Sequence, residues 1–442
     1  MKYFRLKADT FLINGANESV LYDVSFQRAF VVCKKAADYL KELEKNRIIE
    51  PTIQKTNWKN RLISQICEMG LGYFENAPAY IEKTTINSPL RELMPGNYPP
   101  SYFRAYWNIS NDCEWNCNFC GGKSDILTWR TCITCIRSAP GTSIQMDSGK
   151  VIEQISKLGV SLIVIRGGNP FLKWQYLNSI IEEAQRYPHL TIQITTPGIG
   201  HISRRVIDIT KKFKILFNVI MPIQSRRYNS SQIPINIMND QQINLIDELR
   251  KNKIMFYLTF LLSDITLSLR ETLIKFSARR WKLNPGFSYA IESDNVDAYL
   301  NFREQYPYPL SYWKSREEFY FRMGNKLCLS GTFEISSDGM INPCPGFNVP
   351  CGKILNSNIS SALTDPQLYT YWKSDSVYSC RCTDCSTRYL CLTCWSTENK
   401  MFPVLNGRRE CPFRVQLFKD ALKMAHKASY VFSPLEIEQG KL

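Results

Sequence analysis

Histidine is nearly absent: His189, His201 and His426 are the only three in 442 residues, and they lie far apart. That leaves little material for a His-rich metal site or for several imidazole-based centres. Long apolar runs are missing too. The most hydrophobic stretches, around Phe217–Ile223 and Ile254–Leu262, fall short of the roughly 18 residues a membrane helix needs. The opening MKYFRLKADTFLING has no apolar segment of signal-peptide length. The expectation is a soluble, cytoplasmic protein whose thiols stay reduced. With 44% hydrophobic and 21% charged residues, a largely disordered chain is excluded. The length suits about three domains.

Against these shortages stand 16 cysteines. In a reducing compartment, close cysteine spacings read as metal ligands, and with so little histidine the ligands should be thiolates. Their density divides the chain: Cys33 and Cys67 stand alone, five lie between Cys113 and Cys135, and nine follow from Cys328 onward.

In the first part, Tyr3–Lys7 and Thr10–Ile13 lead into Asn14-Gly15, a hairpin-turn dipeptide, with Val20–Tyr22 as the returning strand. Ser25 is expected to cap a helix carrying Phe26, Ala29, Phe30, Cys33, Ala36, Ala37 and Leu40 at helical spacing. A second helix covers Trp58–Met69, ended by Gly70-Leu71-Gly72, with an extended wing at Tyr73–Ile81. Residues 1–85 therefore read as a small winged-helix-like module, and 86–100 as a proline-rich linker. From Tyr102 to Ser293 strand and helix alternate. The runs Tyr106–Ile109, Leu162–Ile165, Leu190–Thr195, Ile215–Met221, Met255–Leu262 and Phe287–Ile291 read as strands buried on both faces. Gly149–Leu158, Trp174–Tyr187 and Gln241–Lys251 read as the helices between them. This α/β alternation predicts a parallel sheet with right-handed crossovers, open or curled into part of a barrel, with chemistry at the C-terminal strand ends.

The first strand runs into Cys113-Glu-Trp-Asn-Cys117-Asn-Phe-Cys120. Three thiolates within eight residues can hold three irons of a [4Fe–4S] cube and leave the fourth open to a small molecule. A zinc site completed by Cys132 or Cys135 is the alternative. The next strand ends in Arg166-Gly167-Gly168-Asn169-Pro170, where two glycines let a ligand reach the backbone; alone, this would be a tight turn. The C-terminal part carries Cys328, Gly339-Met-Ile-Asn-Pro-Cys344, Cys351, Cys380, Cys382-x2-Cys385-x5-Cys391-x2-Cys394 and Cys411. A zinc ribbon would use only four of these nine.

Together, the C-x3-C-x2-C array after the first strand and Gly-Gly-x-Pro after the second resemble the radical S-adenosylmethionine (SAM) enzymes. The resemblance implies a partial (β/α)6 TIM-like barrel at 101–310. Cys113, Cys117 and Cys120 would ligate the cluster, SAM would chelate the fourth iron, and its reductive cleavage would give a 5′-deoxyadenosyl radical. Phe119 would pack near the adenine, and Gly167 and Gly168 would bind the SAM amino group. Asn169 stands where the family usually has Glu, so it brings no charge. Thr195, Ser225 and Ala290 are further candidate SAM contacts at equivalent strand ends.

The C-terminal order resembles the SPASM extension, here at 320–420, which binds two auxiliary [4Fe–4S] clusters. Ile335-Ser-Ser-Asp-Gly339 looks like its short hairpin. The likeness implies Cys382, Cys385, Cys391 and Cys411 for one auxiliary cluster. For the other it implies Cys328, Cys344 and Cys394, with Cys351 as the fourth corner and Cys380 as the rival. The usual closing C-x3-C is shortened to C-x2-C, because Trp395 occupies the next position. Cys132-Ile-Thr-Cys135 lies where the pattern requires no cysteine, and reads as a redox dithiol, a metal site or loop thiols. Packing accounts for Cys33 and Cys67, and 421–442 reads as a C-terminal helix or tail.

Residues 1–85 are similar in length and position to the precursor-peptide recognition element of radical SAM/SPASM maturases, which binds a leader peptide as an added strand. A nucleic-acid-binding winged helix is the competing reading. The charge of +15 first points to nucleic acid. Yet three cubes at roughly −2 each would offset about a third of it, and the basic residues fall in scattered pairs such as Lys34-Lys35 and Arg226-Arg227. The resemblance therefore implies a peptide maturase with three [4Fe–4S] clusters and SAM, a flavodoxin- or ferredoxin-type electron donor, and an intrapeptide C–C or thioether cross-link as product. Oxidation of a Cys or Ser on a sulfatase-like protein, or a zinc-binding, cysteine-rich nucleic-acid binder, are the alternatives. No catalytic base stands out among the many Asp and Glu.

Overall fold

The computed structural model describes residues 2–15, 18–45, 48–49, 58–81, 83, 102–115, 119–120, 126–136, 143–198, 207–210, 213–223, 239–263, 266–292, 302, 313–324, 328–347, 349–354, 358–363, 366–372, 385–391, 394–397 and 432–434. The expected linker at 86–100 lies outside these residues.

The N-terminal part forms two small sheets. Strand β1 (Lys2–Leu6) runs between β5 (Ile48–Ile49) and β6 (Gly72–Glu75). An antiparallel meander comprises β2 (Thr10–Asn14), β3 (Glu18–Asp23) and β4 (Arg28–Cys33), and β17 (Phe432–Pro434), from the far end of the chain, pairs with β4. Helices α1 (Lys34–Glu44) and α2 (Trp58–Glu68) follow β4.

The expected helix from Phe26 is thus corrected: Arg28–Cys33 is a strand, and the helix starts only at Lys34. The cause is a sheet covered on both faces. Leu21, Phe30 and Val32 pack with Phe4, Leu40 and Leu62, while Val20, Tyr22, Ala29 and Val31 pack with Trp313, Phe319 and Tyr320. Consecutive apolar residues then lose the alternation of a half-buried strand and imitate helical spacing. Ser25 hydrogen-bonds Asp9 instead of capping a helix, and Phe26 is 70% exposed.

The central sheet begins with β7 (Arg104–Asn108), and β8 (Ile126–Trp129) follows in sequence. Then come β9 (Leu162–Arg166), β10 (Thr191–Thr196), β11 (Ile215–Pro222), β12 (Phe256–Ser263) and β13 (Gly286–Glu292). Strands β7, β9, β10, β11, β12 and β13 lie side by side in that order, all parallel, as a partial barrel requires. The connections contain α3 (Ser148–Lys157), α4 (Trp174–Ala184), α5 (Asp240–Lys251) and the unforeseen α6 (Arg270–Trp281). Asp147 and Asn239 cap α3 and α5 with their side chains.

Two edge additions extend the sheet beyond the six parallel strands. Strand β8 runs antiparallel along β13. On the opposite side β14 (Thr332–Ile335) continues the sheet parallel to β7, and β15 (Met340–Asn342) and β16 (Gly352–Lys353) extend it antiparallel, giving ten strands. The β14–β15 turn is the expected hairpin, with Gly339 at φ 81°.

Register separates the two faces of the barrel strands. Trp107, Ile163, Ile165, Ile192, Ile194, Phe217, Val219, Phe260 and Leu262 belong to the main apolar core with the helices, and fully burying each such side chain contributes about 1.5–3 kcal/mol. On the other face stand Asn108, Arg166, Thr195, Asn218, Thr259, Ser288 and Glu334, all buried. The strands are therefore buried on both faces as expected, but the inner face mixes these polar residues with apolar ones such as Ile220, Leu261 and Ala290. Among the described residues no helix is long and apolar enough to cross a membrane.

If β4 is a two-faced strand, Val31→Ala and Val32→Ala should each destabilise the protein by about 1–3 kcal/mol in urea unfolding. A near-zero effect for either would show that its side is not packed.

Candidate active site at the strand ends

Strand β9 ends at Arg166, and the chain turns through Gly167 at φ 99° and Gly168 at φ 52°. A Cβ on these residues would lie 2.3 Å from Ser110 O and 2.1 Å from Asp112 O. Only glycine allows the turn to press against the backbone that leads from β7 into Cys113. Hydrogen bonds hold the approach: Asn169 N donates to Asp112 O at 2.8 Å, Ile109 N to Arg166 O at 3.2 Å, and Gly168 N to Cys135 O at 3.2 Å. Asn169 Oδ1 accepts from Phe171 N and from Thr196 Oγ1, each at 3.3 Å.

Around this turn the structure gathers several of the residues singled out from the sequence. Phe119 and Ala290 are buried with Ile220, Leu261 and Cys135, and Cys120 packs against that group. Thr195 is fully buried, and its hydroxyl has no hydrogen-bond partner among the described residues. Cys117 and Ser225 lie outside the described residues.

Sequence reasoning missed the polar residues inside the barrel. Arg166 is completely buried and paired with Glu334 at 3.2 Å. It also donates to Asn108 Oδ1 at 3.1 Å and to three carbonyls of one loop: Thr131 O and Thr134 O at 3.2 Å and Ile136 O at 2.8 Å. Glu334 accepts in addition from Asn108 Nδ2 at 2.7 Å and Asn342 Nδ2 at 3.2 Å. Burial pushes the Glu334 carboxyl above its ordinary range, while Arg166, Asn342 and Asn108 pull the other way. Asn218 Nδ2 donates to Ile133 O at 2.9 Å, and Asn218 Oδ1 accepts from Thr259 Oγ1 at 3.0 Å; Ser288 Oγ donates to Trp129 O at 2.5 Å. The segment 126–136 thus descends along β8 and folds back inside the sheet. The available signal was the recurrence of Asn, Arg and Thr at alternate positions of otherwise apolar strands.

Within that fold-back, Cys132 and Cys135 have different neighbouring thiols. The Cys135 thiol is pushed well up by burial and then by the neighbouring Cys120 and Cys113 thiols, so these three are close together. The Cys344 thiol is pushed up by burial and then by Cys132, Cys394 and Cys328, which form a second group. Arg130 N donates to Cys394 Sγ at 3.4 Å. Cys385 and Cys391 both raise the Tyr22 hydroxyl, after burial as the larger cause, and that hydroxyl donates to Ser386 O at 2.7 Å. Cys351 is fully buried, with Sγ 3.4 Å from Val349 O and close enough to raise the Tyr371 hydroxyl. Cys380, Cys382 and Cys411 lie outside the described residues.

Among the described residues, no three or more His, Cys, Asp or Glu side chains are drawn together tightly enough to hold a metal ion. A cube binds each thiolate at a separate corner, a wider frame than the ligand shell of one ion. The donors fit such a group: thiolates are the soft ligands iron–sulfur clusters take, and the glycine turn keeps open the space a Cβ would fill. A cavity of about 520 Å³ lies at the opposite, N-terminal ends of the strands, lined by Arg104, Cys132, Val164, Asn218, Thr259 and Gly286. It does not mark the glycine turn, which is identified by its chemistry.

No protein-family model and no curated protein matches the chain. Among solved structures, the chain is similar to Streptococcus suis SuiB bound to S-adenosylmethionine, at 15% identity and a TM-score of 0.42, over 90% of this chain and 97% of that one. It is similar also to SuiB bound to the precursor peptide SuiA, at 13% and 0.43 over 90% and 97%. For anSMEcpe with bound AdoMet the values are 12% and 0.48, over 74% and 94%.

Removing Arg166 should leave Glu334 as an uncompensated buried charge. Arg166→Met is expected to cost about 3–5 kcal/mol in denaturant unfolding, and Glu334→Gln about 1–3 kcal/mol. If both stay within about 0.5 kcal/mol of the parent, the pair does not organise this site.

Proposed function

We propose that the protein is a radical SAM/SPASM maturase that modifies a ribosomally made precursor peptide. The observation that carries the reading is the convergence of Cys113 and Cys120 beside the Gly167–Gly168 turn, at the C-terminal ends of parallel strands in sequential order. Strand ends of this kind are where barrel enzymes place their chemistry.

Cys113, Cys117 and Cys120 would hold a [4Fe–4S] cluster, and Gly167 and Gly168 would admit the SAM amino group against the backbone. Bound there, the cluster would supply the electron that cleaves SAM to the 5′-deoxyadenosyl radical, which takes a hydrogen atom from the peptide. Phe119 and Ala290 offer an apolar wall for the adenine. The buried Thr195 hydroxyl offers a hydrogen bond to the bound molecule. Asn169 shapes the turn through Phe171 N and Thr196 Oγ1; unlike a Glu, it leaves the SAM ammonium without a carboxylate partner there. The polar inner face continues below, and Arg166 and Glu334 keep its walls fixed.

Cys382, Cys385, Cys391 and Cys411 would hold one auxiliary cluster, next to Tyr22 of the N-terminal meander. That meander would recognise the leader peptide by strand addition, in which backbone hydrogen bonds give affinity and alternate side chains give selectivity. A flavodoxin- or ferredoxin-type protein would deliver electrons. The product would be an intrapeptide C–C or thioether cross-link: one hydrogen would leave as the atom taken by the 5′-deoxyadenosyl radical, the other as a proton, with its electron passing to an auxiliary cluster.

Anaerobic reconstitution should load about twelve irons per chain, three cubes of four. With SAM, reductant and a short peptide encoded nearby, mass spectrometry should show a peptide lighter by two hydrogens with its backbone intact. Cys113→Ala should remove both SAM cleavage and product. A protein that takes up mainly zinc and shows no reductant-dependent SAM cleavage would end this reading.

A further inference from the structure

We infer that Cys132, from the loop inside the barrel, is the fourth thiolate of the auxiliary cluster whose other ligands are Cys328, Cys344 and Cys394. The inference rests on the cluster reading above and assigns a ligand that the spacing of the C-terminal cysteines does not reveal.

The first support is placement. Three stretches meet at this point: the turn at 130–132, the chain just after the β14–β15 hairpin, and the short helical turn at 394–397. Arg130 N reaches Cys394 Sγ at 3.4 Å, and Thr397 Oγ1 donates to Thr128 O at 3.2 Å. Gly346, two residues beyond Cys344, sits so close to the others that a Cβ there would lie 2.1 Å from Ser396 Oγ and 3.5 Å from Thr131 Oγ1. Cys344 interacts electrostatically with Cys132, Cys394 and Cys328, and Arg104 interacts with both Cys132 and Cys328. One thiol from the barrel loop and three from the C-terminal part therefore share a single neighbourhood.

The second support is rigidity. A ligand residue must be held by its surroundings to keep productive geometry. The loop around Cys132 is fixed on both sides: Arg166 takes the carbonyls of Thr131 and Thr134, and Asn218 takes that of Ile133. The third support is charge. Arg104 and Arg130 both lie near Cys132, so two guanidiniums stand where a cube with four thiolates would bring net negative charge. N–H donors aimed at sulfur are the usual tuning contacts of such clusters, and Cys394 receives one from Arg130 N, with the Ser396 and Thr397 hydroxyl oxygens each 3.3 Å from the same sulfur.

Cys351, the corner expected from sequence order, is placed differently. It is fully buried, its sulfur lies against Val349 O, and its amide donates to Ile341 O at 2.7 Å. It belongs to the packing of the hairpin extension. Cys132 and Cys135 are not joined by a disulfide, and Cys135 sits with Cys113 and Cys120.

The test uses the full chain with Cys113, Cys117 and Cys120 all changed to Ala, which leaves only the auxiliary clusters. This background should bind about eight irons. If it binds no iron–sulfur cluster, the underlying reading fails, independently of Cys132. Adding Cys132→Ala should lower the iron to between four and seven per chain, by roughly one to four irons, and give the EPR signal of a three-iron cluster after oxidation. A small exogenous thiol should restore the four-iron spectrum, which a merely misfolded variant would not regain. Cys351→Ala in the same background should keep its iron and spectrum. Unchanged iron in Cys132→Ala, a loss that added thiol does not rescue, or the three-iron signal appearing in Cys351→Ala instead would each overturn the assignment.

Discussion

The buried pair of Arg166 and Glu334 is the contact on which the rest of this architecture depends. Glu334 lies on β14, at the start of the C-terminal cysteine region, and Arg166 lies at the last residue of β9, immediately before the glycine turn. The same guanidinium carries three carbonyls of the 131–136 loop. One side chain thus ties together the strand end, the loop that carries Cys132 and Cys135, and the added edge of the sheet. A buried ion pair adds little net stability once desolvation is counted. Its value here is specificity: few other side chains present several donors in a fixed fork, so the arrangement of three chain segments follows from one residue.

Around that contact the barrel strands divide their labour by parity. Odd-numbered positions of β11 such as Phe217 and Val219 pack under the helices, while Asn218 faces the enclosed loop. The strands themselves were legible in the sequence, because long apolar runs alternating with amphipathic helices leave few alternatives to a parallel sheet. The polar inner face was visible only as single polar residues inside apolar runs. Its partners lie 85 residues away in the case of Asn218 and Ile133, and 168 residues away for Arg166 and Glu334. No local pattern encodes such pairs.

The N-terminal part shows the complementary failure. By sequence alone Ala29, Phe30, Val31 and Val32 resemble a helix, because a sheet packed on both sides erases the alternation that identifies a strand. The covering elements include Trp313 and Phe319, which come from the far side of the barrel in sequence. The candidate site was legible in part for a similar reason. The C-x3-C-x2-C spacing and the paired glycines are local, so they stood out, and the φ values of Gly167 and Gly168 explain why glycine is required. The surroundings of Cys132 could not be read from the sequence, because they depend on a fold-back held by Arg166 and Asn218.

The central claim is that the cysteines serve separate centres, one beside the glycine turn and one bridging the barrel loop and the C-terminal region. The most direct measurement is a crystal structure of anaerobically reconstituted protein with anomalous data collected at the iron and zinc edges. The account predicts an iron peak bonded by Cys113, Cys117 and Cys120 next to Gly167, and a separate iron peak bonded by Cys132, Cys328, Cys344 and Cys394. Zinc peaks in place of iron, or an empty turn at Gly167 in a protein that binds iron elsewhere, would contradict it.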